Sequence, residues 1–124
     1  MFPLPIFKGK AFEKGKFAED FAAKYLKRSG YKIIARNYRK PYGEIDIICK
    51  KDSCLVFVEV RSLSGDFMEP SETITYRKKE NLAKVIKAFI SENGWEGDVR
   101  FDFIGLRWNG NDFEINHIEN FLDF

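Results

Sequence analysis

Two runs of β-forming residues near the middle of the chain carry acids in their interiors. Glu44–Cys49 reads Glu-Ile-Asp-Ile-Ile-Cys, and Leu55–Arg61 reads Leu-Val-Phe-Val-Glu-Val-Arg. Acidic residues are disfavoured inside strands, yet Asp46 and Glu59 stand among Ile, Val and Phe. A buried carboxylate needs a donor, a cation or a metal ion. The polar stretch Lys50-Lys51-Asp52-Ser53 separates the two runs, which is the pattern of a hairpin. A four-residue turn would pair Cys49 with Cys54, set Asp46 opposite Phe57 and set Glu44 opposite Glu59. Residues two apart on a strand share a face. Glu44, Asp46, Glu59 and Arg61 are therefore expected on one side of a sheet, with Asp46 and Glu59 as diagonal neighbours about 7–8 Å apart. Oxygen ligands of this kind suit Mg²⁺ or Mn²⁺. Such an ion acidifies water and neutralises charge on phosphoryl oxygen, so phosphodiester hydrolysis is the reaction class that follows. The alternative is a set of surface acids that only pair with Arg61 and nearby lysines.

The remaining chain supplies the other elements of an α/β fold. Ala18, Phe21, Ala22, Tyr25 and Leu26 fall at i, i+3, i+4, i+7 and i+8, one apolar stripe of a helix from about Ala11 to Arg28. Ser29-Gly30 ends it. Tyr31–Tyr38 reads as a short strand and Pro41-Tyr42-Gly43 as a breaker. Ser62–Ser71 reads as a loop. A second helix is expected from Tyr76 to Asn93-Gly94, with Leu82, Val85, Ile86, Phe89 and Ile90 repeating the apolar spacing. Arg77, Lys78, Lys79, Lys84 and Lys87 are placed off that stripe. Val99–Trp108 and Asp112–Ile118 are strands joined by Asn109-Gly110, a strong hairpin signal. The expected order is α-β-β-β-α-β-β in one domain over residues 1–124: a mixed central sheet of about five strands flanked by helices.

Charge is distributed unevenly. Residues 1–40 carry 11 Lys/Arg and 3 Asp/Glu, a net +8; residues 41–124 net −6. A basic segment beside an acidic one suits a protein that meets phosphate with one part and holds a cation with another. Cys49 and Cys54 form no Cys-x-x-Cys motif, and His117 is the single histidine, which argues against zinc and His-triad chemistry. His117 is expected opposite Asp102 across the last hairpin, as a structural pair, if Trp108 pairs with Asn111. Trp95 and Trp108 flank turns and suit rim packing. No run is long enough to span a membrane, so a cytoplasmic protein with reduced thiols is expected.

Gly15 with Glu19, Gly30-Tyr31, Arg36-Asn37-Tyr38-Arg39, Gly43-Glu44-Ile45-Asp46, Val56-Phe57-Val58-Glu59-Val60, then Pro70, Glu72, Thr75, Lys78, Arg100-Phe101-Asp102 and His117-Ile118-Glu119-Asn120 run through nearly the whole chain. Together they resemble the YraN-type family of small bacterial proteins. That family is similar to Holliday-junction resolvases and shares the restriction-endonuclease-like PD-(D/E)xK fold. The resemblance implies a divalent-metal-dependent nuclease acting on DNA, with branched DNA as the expected substrate and a symmetric homodimer as the expected assembly. It implies metal ligation by Asp46 and Glu59 with Glu44 beside them, and a catalytic set of Asp46, Glu59, Arg61, Glu19 and Glu44. Nucleic-acid contacts are expected from Lys14, Lys16, Arg36, Arg39, Lys78 and Lys79. Arg61 stands where the family carries lysine, and Ala18 replaces a glycine before Glu19. Arginine stays protonated and cannot act as a base, although it can hold a phosphate. This departure keeps a second reading open: a non-catalytic nucleic-acid-binding module on a nuclease scaffold.

Overall fold

The computed structural model describes residues 11–63 and 76–122, with side chains from 16 to 62 and from 77 to 122. Lys14, Pro70, Glu72 and Thr75 lie outside the described side chains. The order is α1 (Ala11–Arg28), β1 (Lys32–Lys40), β2 (Gly43–Lys51), β3 (Cys54–Leu63), α2 (Tyr76–Asn93), β4 (Asp98–Trp108) and β5 (Phe113–Ile118). The strands form one sheet in the spatial order β1-β2-β3-β4-β5, parallel between β3 and β4 and antiparallel elsewhere. Parallel neighbours need a long crossover, and α2 lies within it. This is the expected α-β-β-β-α-β-β layout.

Each helix covers one face. Ala18, Ala22 and Leu26 of α1 pack with Ile47, Cys49, Val56, Val58, Val60, Ile104 and Leu106. Leu82, Val85, Ile86 and Phe89 of α2 pack with Ile45, Ile48, Leu55, Phe57 and Phe101 on the other face. The stripes that define the helices are thus the surfaces they bury. Leu26 is fully buried, and truncating it to Ala should cost about 2–5 kcal/mol. The end of α1 follows the Schellman pattern: the Tyr31 amide donates to the Leu26 carbonyl and the Gly30 amide to the Lys27 carbonyl, with Gly30 at φ 92°. At Gly43 an added Cβ would come within 3.0 Å of Val85 Cγ2. A side chain there would push the start of β2 away from α2.

Two hairpin registers differ from the simplest reading. Lys51, not Cys49, pairs with Cys54, so the turn is only Asp52-Ser53 and Cys49 faces Val56. Asp52 takes a left-handed conformation, φ 54°, which Asp tolerates and a tight turn requires. The ladder therefore gains its Lys50–Leu55 and Lys51–Cys54 rungs. The slip is two residues, so faces are preserved. Both cysteines are free, and burial pushes the Cys49 thiol up to about 12. At the second hairpin Trp108 pairs with Phe113 rather than Asn111. Asn109 Oδ1 accepts from the amides of Asn111 and Asp112. This side-chain turn takes amides that a two-residue turn would have left to the ladder.

Candidate active site

At one end of the sheet the β2–β3 ladder stops. Its last rung is Ile47–Val58, whereas β3 and β4 stay paired as far as Leu63–Arg107. Counting on from that rung sets Asp46 level with Glu59. In place of a further rung, the Val60 amide donates to Asp46 Oδ2 at 2.8 Å. The side chain of Asp46 thus fills the gap where two strands part.

The strand also rolls over here. Ile47 packs on the α1 face and Ile45 on the α2 face, although residues two apart should share one. Arg36 and Tyr38, their partners on β1, are split in the same way: Arg36 meets α1 at Asp20, and Tyr38 packs on the α2 face. Between those rungs stand Asn37, at φ 54°, and Asp46. Asn enters the left-handed region more readily than most residues, and that kink interrupts the alternation. The one-face arrangement expected for the four site residues therefore fails at Asp46, whose carboxylate reaches along the sheet toward β3.

Around it the other acids gather from several elements. Burial pushes the Asp46 carboxyl up to about 7, against the lowering effect of the Val60 amide, and the charges of Glu19, Glu59 and Glu44 add to the rise. Glu19 enters from α1. Burial raises it too, while Arg36 and the Asn37 side chain oppose the rise and Glu44 supports it. Glu59 is buried in the sheet. Its Oε1 lies 3.0 Å from Lys78 Nζ of α2, and its Oε2 lies 3.7 Å from Arg61 Nε, too far for a hydrogen bond. Glu44 pairs with Arg39 at 3.2 Å.

The site is short of partners. Among the described residues, three buried side-chain polar atoms lack a hydrogen bond: Arg36 Nε, Glu59 Oε2 and Arg61 Nε. All three belong to this end of the sheet. No three His, Cys, Asp or Glu side chains among the described residues close into a ready metal cage. The charges of Glu19, Glu59 and Glu44 raise the proton affinity of Asp46, and Glu59 Oε2 is an acceptor without a donor. That donor set fits a hard divalent cation that keeps several waters.

The expected nucleic-acid contacts are placed as follows. Arg36 is held by Asp20 at 2.7 Å and Glu19 at 3.8 Å, and Arg39 by Glu44. Lys16 is exposed on α1 and Lys79 is half-buried on α2. Lys78 was expected off the apolar stripe of α2, but it reaches Glu59. The reason is plain in the spacing: Lys78 is four residues before Leu82 and seven before Val85, so the stripe extended by one turn passes through it. That phase was the available signal.

A second polar group lies on the α1 face. Asp102 is fully buried. It accepts from Arg100 Nε at 2.8 Å and Nη2 at 2.9 Å, from His117 Nε2 at 2.8 Å and from the Asn120 amide at 3.0 Å. His117 sits across from Ile104, not Asp102, and reaches Asp102 diagonally. Its Nδ1 meets the Tyr25 hydroxyl at 2.8 Å, and Arg100 Nη2 donates to the Tyr31 hydroxyl at 2.7 Å. Tyr25 belongs to the apolar stripe of α1 and Tyr31 stands just before β1 rather than in it, and only the fold reveals their polar ends as partners.

Residues 18–106 match the profile described as Uncharacterised protein family UPF0102. This chain belongs to that family. UPF0102 is the YraN-type family, a member of the restriction-endonuclease-like superfamily. The chain is 46% identical over 114 residues to a UPF0102 protein of Carboxydothermus hydrogenoformans, covering 90% of this chain and 97% of that one. It is 44% identical over 110 residues to a UPF0102 protein of Sulfurihydrogenibium sp., covering 87% and 92%. With a UPF0102 protein of Thermotoga maritima it shares 43% over 104 residues, covering 84% and 92%. It is also similar to the structure of Pyrococcus furiosus SfsA in complex with Ca²⁺, at a TM-score of 0.34 and 17% identity, over 95% of this chain and 64% of that one. A likeness of that size carries nothing about function. The UPF0102 match spans Glu19, Glu44, Asp46, Glu59, Arg61 and Lys78. No helix among the described residues is long and apolar enough to cross a membrane.

Proposed function

We propose that this protein is a divalent-metal-dependent nuclease that hydrolyses phosphodiester bonds in DNA, with branched DNA as the substrate that the resolvase-like resemblance favours. The observation that carries the reading is the pair Asp46 and Glu59 at the parting of β2 and β3. One carboxyl is pushed up toward neutral pH by burial and neighbouring acids, and the other keeps a buried oxygen without a donor. A buried group left unsatisfied costs about 1–3 kcal/mol, so a cation here relieves a cost the fold otherwise carries.

Asp46 and Glu59 would hold Mg²⁺ or Mn²⁺, and the charges of Glu19 and Glu44 act on Asp46. The ion supplies charge neutralisation at phosphoryl oxygen and acidifies water. The protein's own groups do the rest. The Val60 amide fixes the angle of Asp46. Arg61 stays cationic and is suited to holding a phosphate rather than moving a proton. Lys16 and the basic first turn of α2 offer charge for the nucleic-acid backbone.

A second reading, a non-catalytic nucleic-acid-binding module, is favoured by one feature: Arg61 in place of the motif lysine. Labelled duplex, single-stranded and four-way-junction DNA, each incubated with Mg²⁺ or Mn²⁺, separate the two. Cleavage by the wild type, lost in Asp46→Asn, supports the nuclease. Binding without cleavage, even after Arg61→Lys, rejects it in favour of the module.

A further inference from the structure

The lysine missing from β3 has a counterpart in space. Lys78, in the first turns of α2, brings its ammonium within 3.0 Å of Glu59 Oε1, while the Arg61 guanidinium stands 3.7 Å from the other oxygen without a hydrogen bond. Lys78 also lines a cleft of about 220 Å³ between the β1–β2 turn and α2, together with Tyr42, Glu44, Arg77 and Asn81. Its side chain is 30% exposed, so Lys78 both reaches the buried carboxylate and borders the open cleft.

We propose that Lys78 is a catalytic residue that supplies from α2 the ammonium that a lysine at position 61 would supply from β3. This rests on the nuclease reading above. Two arguments favour Lys78 over Arg61. Lysine carries its charge on a flexible four-carbon stem, so it can leave Glu59 for a phosphate in the cleft when a divalent cation takes that carboxylate. Its position on the buried stripe of α2 also aims it at the sheet, whereas the Arg61 side chain is 43% exposed. In the hydrolysis, the oxygen of water bonds to phosphorus as one P–O ester bond breaks. The water's proton passes to solvent, and the departing oxygen takes a proton from solvent, giving a phosphate monoester and a free hydroxyl. Lys78 transfers no proton in this scheme. It holds a non-bridging phosphate oxygen and offsets the charge that grows there.

The test compares wild type, Lys78→Ala, Arg61→Lys and the double variant Arg61→Lys/Lys78→Ala. It reads single-turnover cleavage with Mg²⁺ and, separately, Mn²⁺ affinity by calorimetry without DNA. Lys78→Ala should slow cleavage by roughly 10²-fold, on the scale of losing one preorganised donor to developing charge. Its Mn²⁺ affinity should hold or rise, because the ammonium no longer competes for Glu59. The double variant should recover at least about tenfold over Lys78→Ala, since a lysine is returned to the motif position. Cleavage by Lys78→Ala within about threefold of wild type overturns the proposal and leaves the nuclease reading intact. So does a slow Lys78→Ala that has also lost Mn²⁺ affinity, which would make Lys78 a support for Glu59 alone. An inert wild type beside an active Arg61→Lys likewise overturns it, because Lys78 would then not substitute. If wild type and Arg61→Lys are both inert on every DNA, the nuclease reading itself fails and takes the proposal with it.

Discussion

Two aspartates of the sheet, the fully buried Asp102 and the half-buried Asp46, have opposite surroundings. Asp102 has four hydrogen bonds, two from Arg100 and one each from His117 and the Asn120 amide. Among the described residues Asp46 has one, from the Val60 amide, and the charges of Glu19, Glu59 and Glu44 act on it. Burial works most strongly against the charge at Asp102, yet His117, Arg100 and the Asn120 amide together hold its carboxyl below the ordinary range. At Asp46 the same burial meets one donor and three like charges, and the carboxyl rises to about 7. Asp102 on β4 lies within one residue of the level of Asp46 on β2, so a fold that provides full satisfaction on one strand can provide it on the other. That contrast is what the proposed cation site rests on: the Asp102 group satisfies itself, and the Asp46 group does not.

The comparison breaks most sharply at Asp102. Asp102→Ala leaves the half-buried Arg100 with Tyr31 and Glu119 alone and takes the acceptor from His117 and the Asn120 amide, and should cost about 3 kcal/mol in urea unfolding. Asp46→Asn at pH 8 should cost nothing or stabilise, because it removes an unfavourable charge. Equal losses in the two variants would erase the distinction.

Stability against pH sharpens it. The Asp46 carboxyl is higher in the folded state than its ordinary value of 3.8. The folded protein therefore binds the proton more tightly, and its stability should rise as pH falls from about 8 toward 4, by up to a few kcal/mol in the absence of divalent ions. Asp102 is lowered instead, so its contribution is present above the ordinary carboxylate range and is lost only as pH drops below it. Unfolding curves between pH 4 and 8 should show the Asp46 trend in wild type and not in Asp46→Asn. A wild type whose stability is flat over that range contradicts the burial assigned to Asp46.

The layout was largely legible in the sequence, because helix and strand periodicities reflect which side chains are buried. The stripe Ala18–Leu26 and the runs around Ile47 and Val58 map directly onto the core. The hairpin registers were not legible. They depend on whether Asp52 and Asn109 accept unusual local geometry, and composition alone does not reveal that. The site residues stood out because acids are rare inside strands. The roll at Asn37 and Asp46, and the route of Lys78 to Glu59, arise from how two elements meet in space. For Lys78 it is the phase on α2, four residues before Leu82, and not the charge that decides where the side chain reaches.

A smaller effect concerns the cation itself. Mn²⁺ at about 100 times its dissociation constant should stabilise the wild type by about 2.7 kcal/mol, visible as a rise in Tm. The rise should shrink below pH 7, where protons compete for Asp46. An equal rise at pH 5.5 and pH 8 would place the ion away from that carboxyl.

Calorimetric titration of Mn²⁺ into wild type and Asp46→Asn at pH 8 tests the central claim most directly. The two carboxylates at the parting of β2 and β3 predict weak binding at one site in the wild type, absent in Asp46→Asn. Binding of equal strength in both proteins would contradict it, and would make the raised, under-bonded carboxyl of Asp46 a feature of the fold alone.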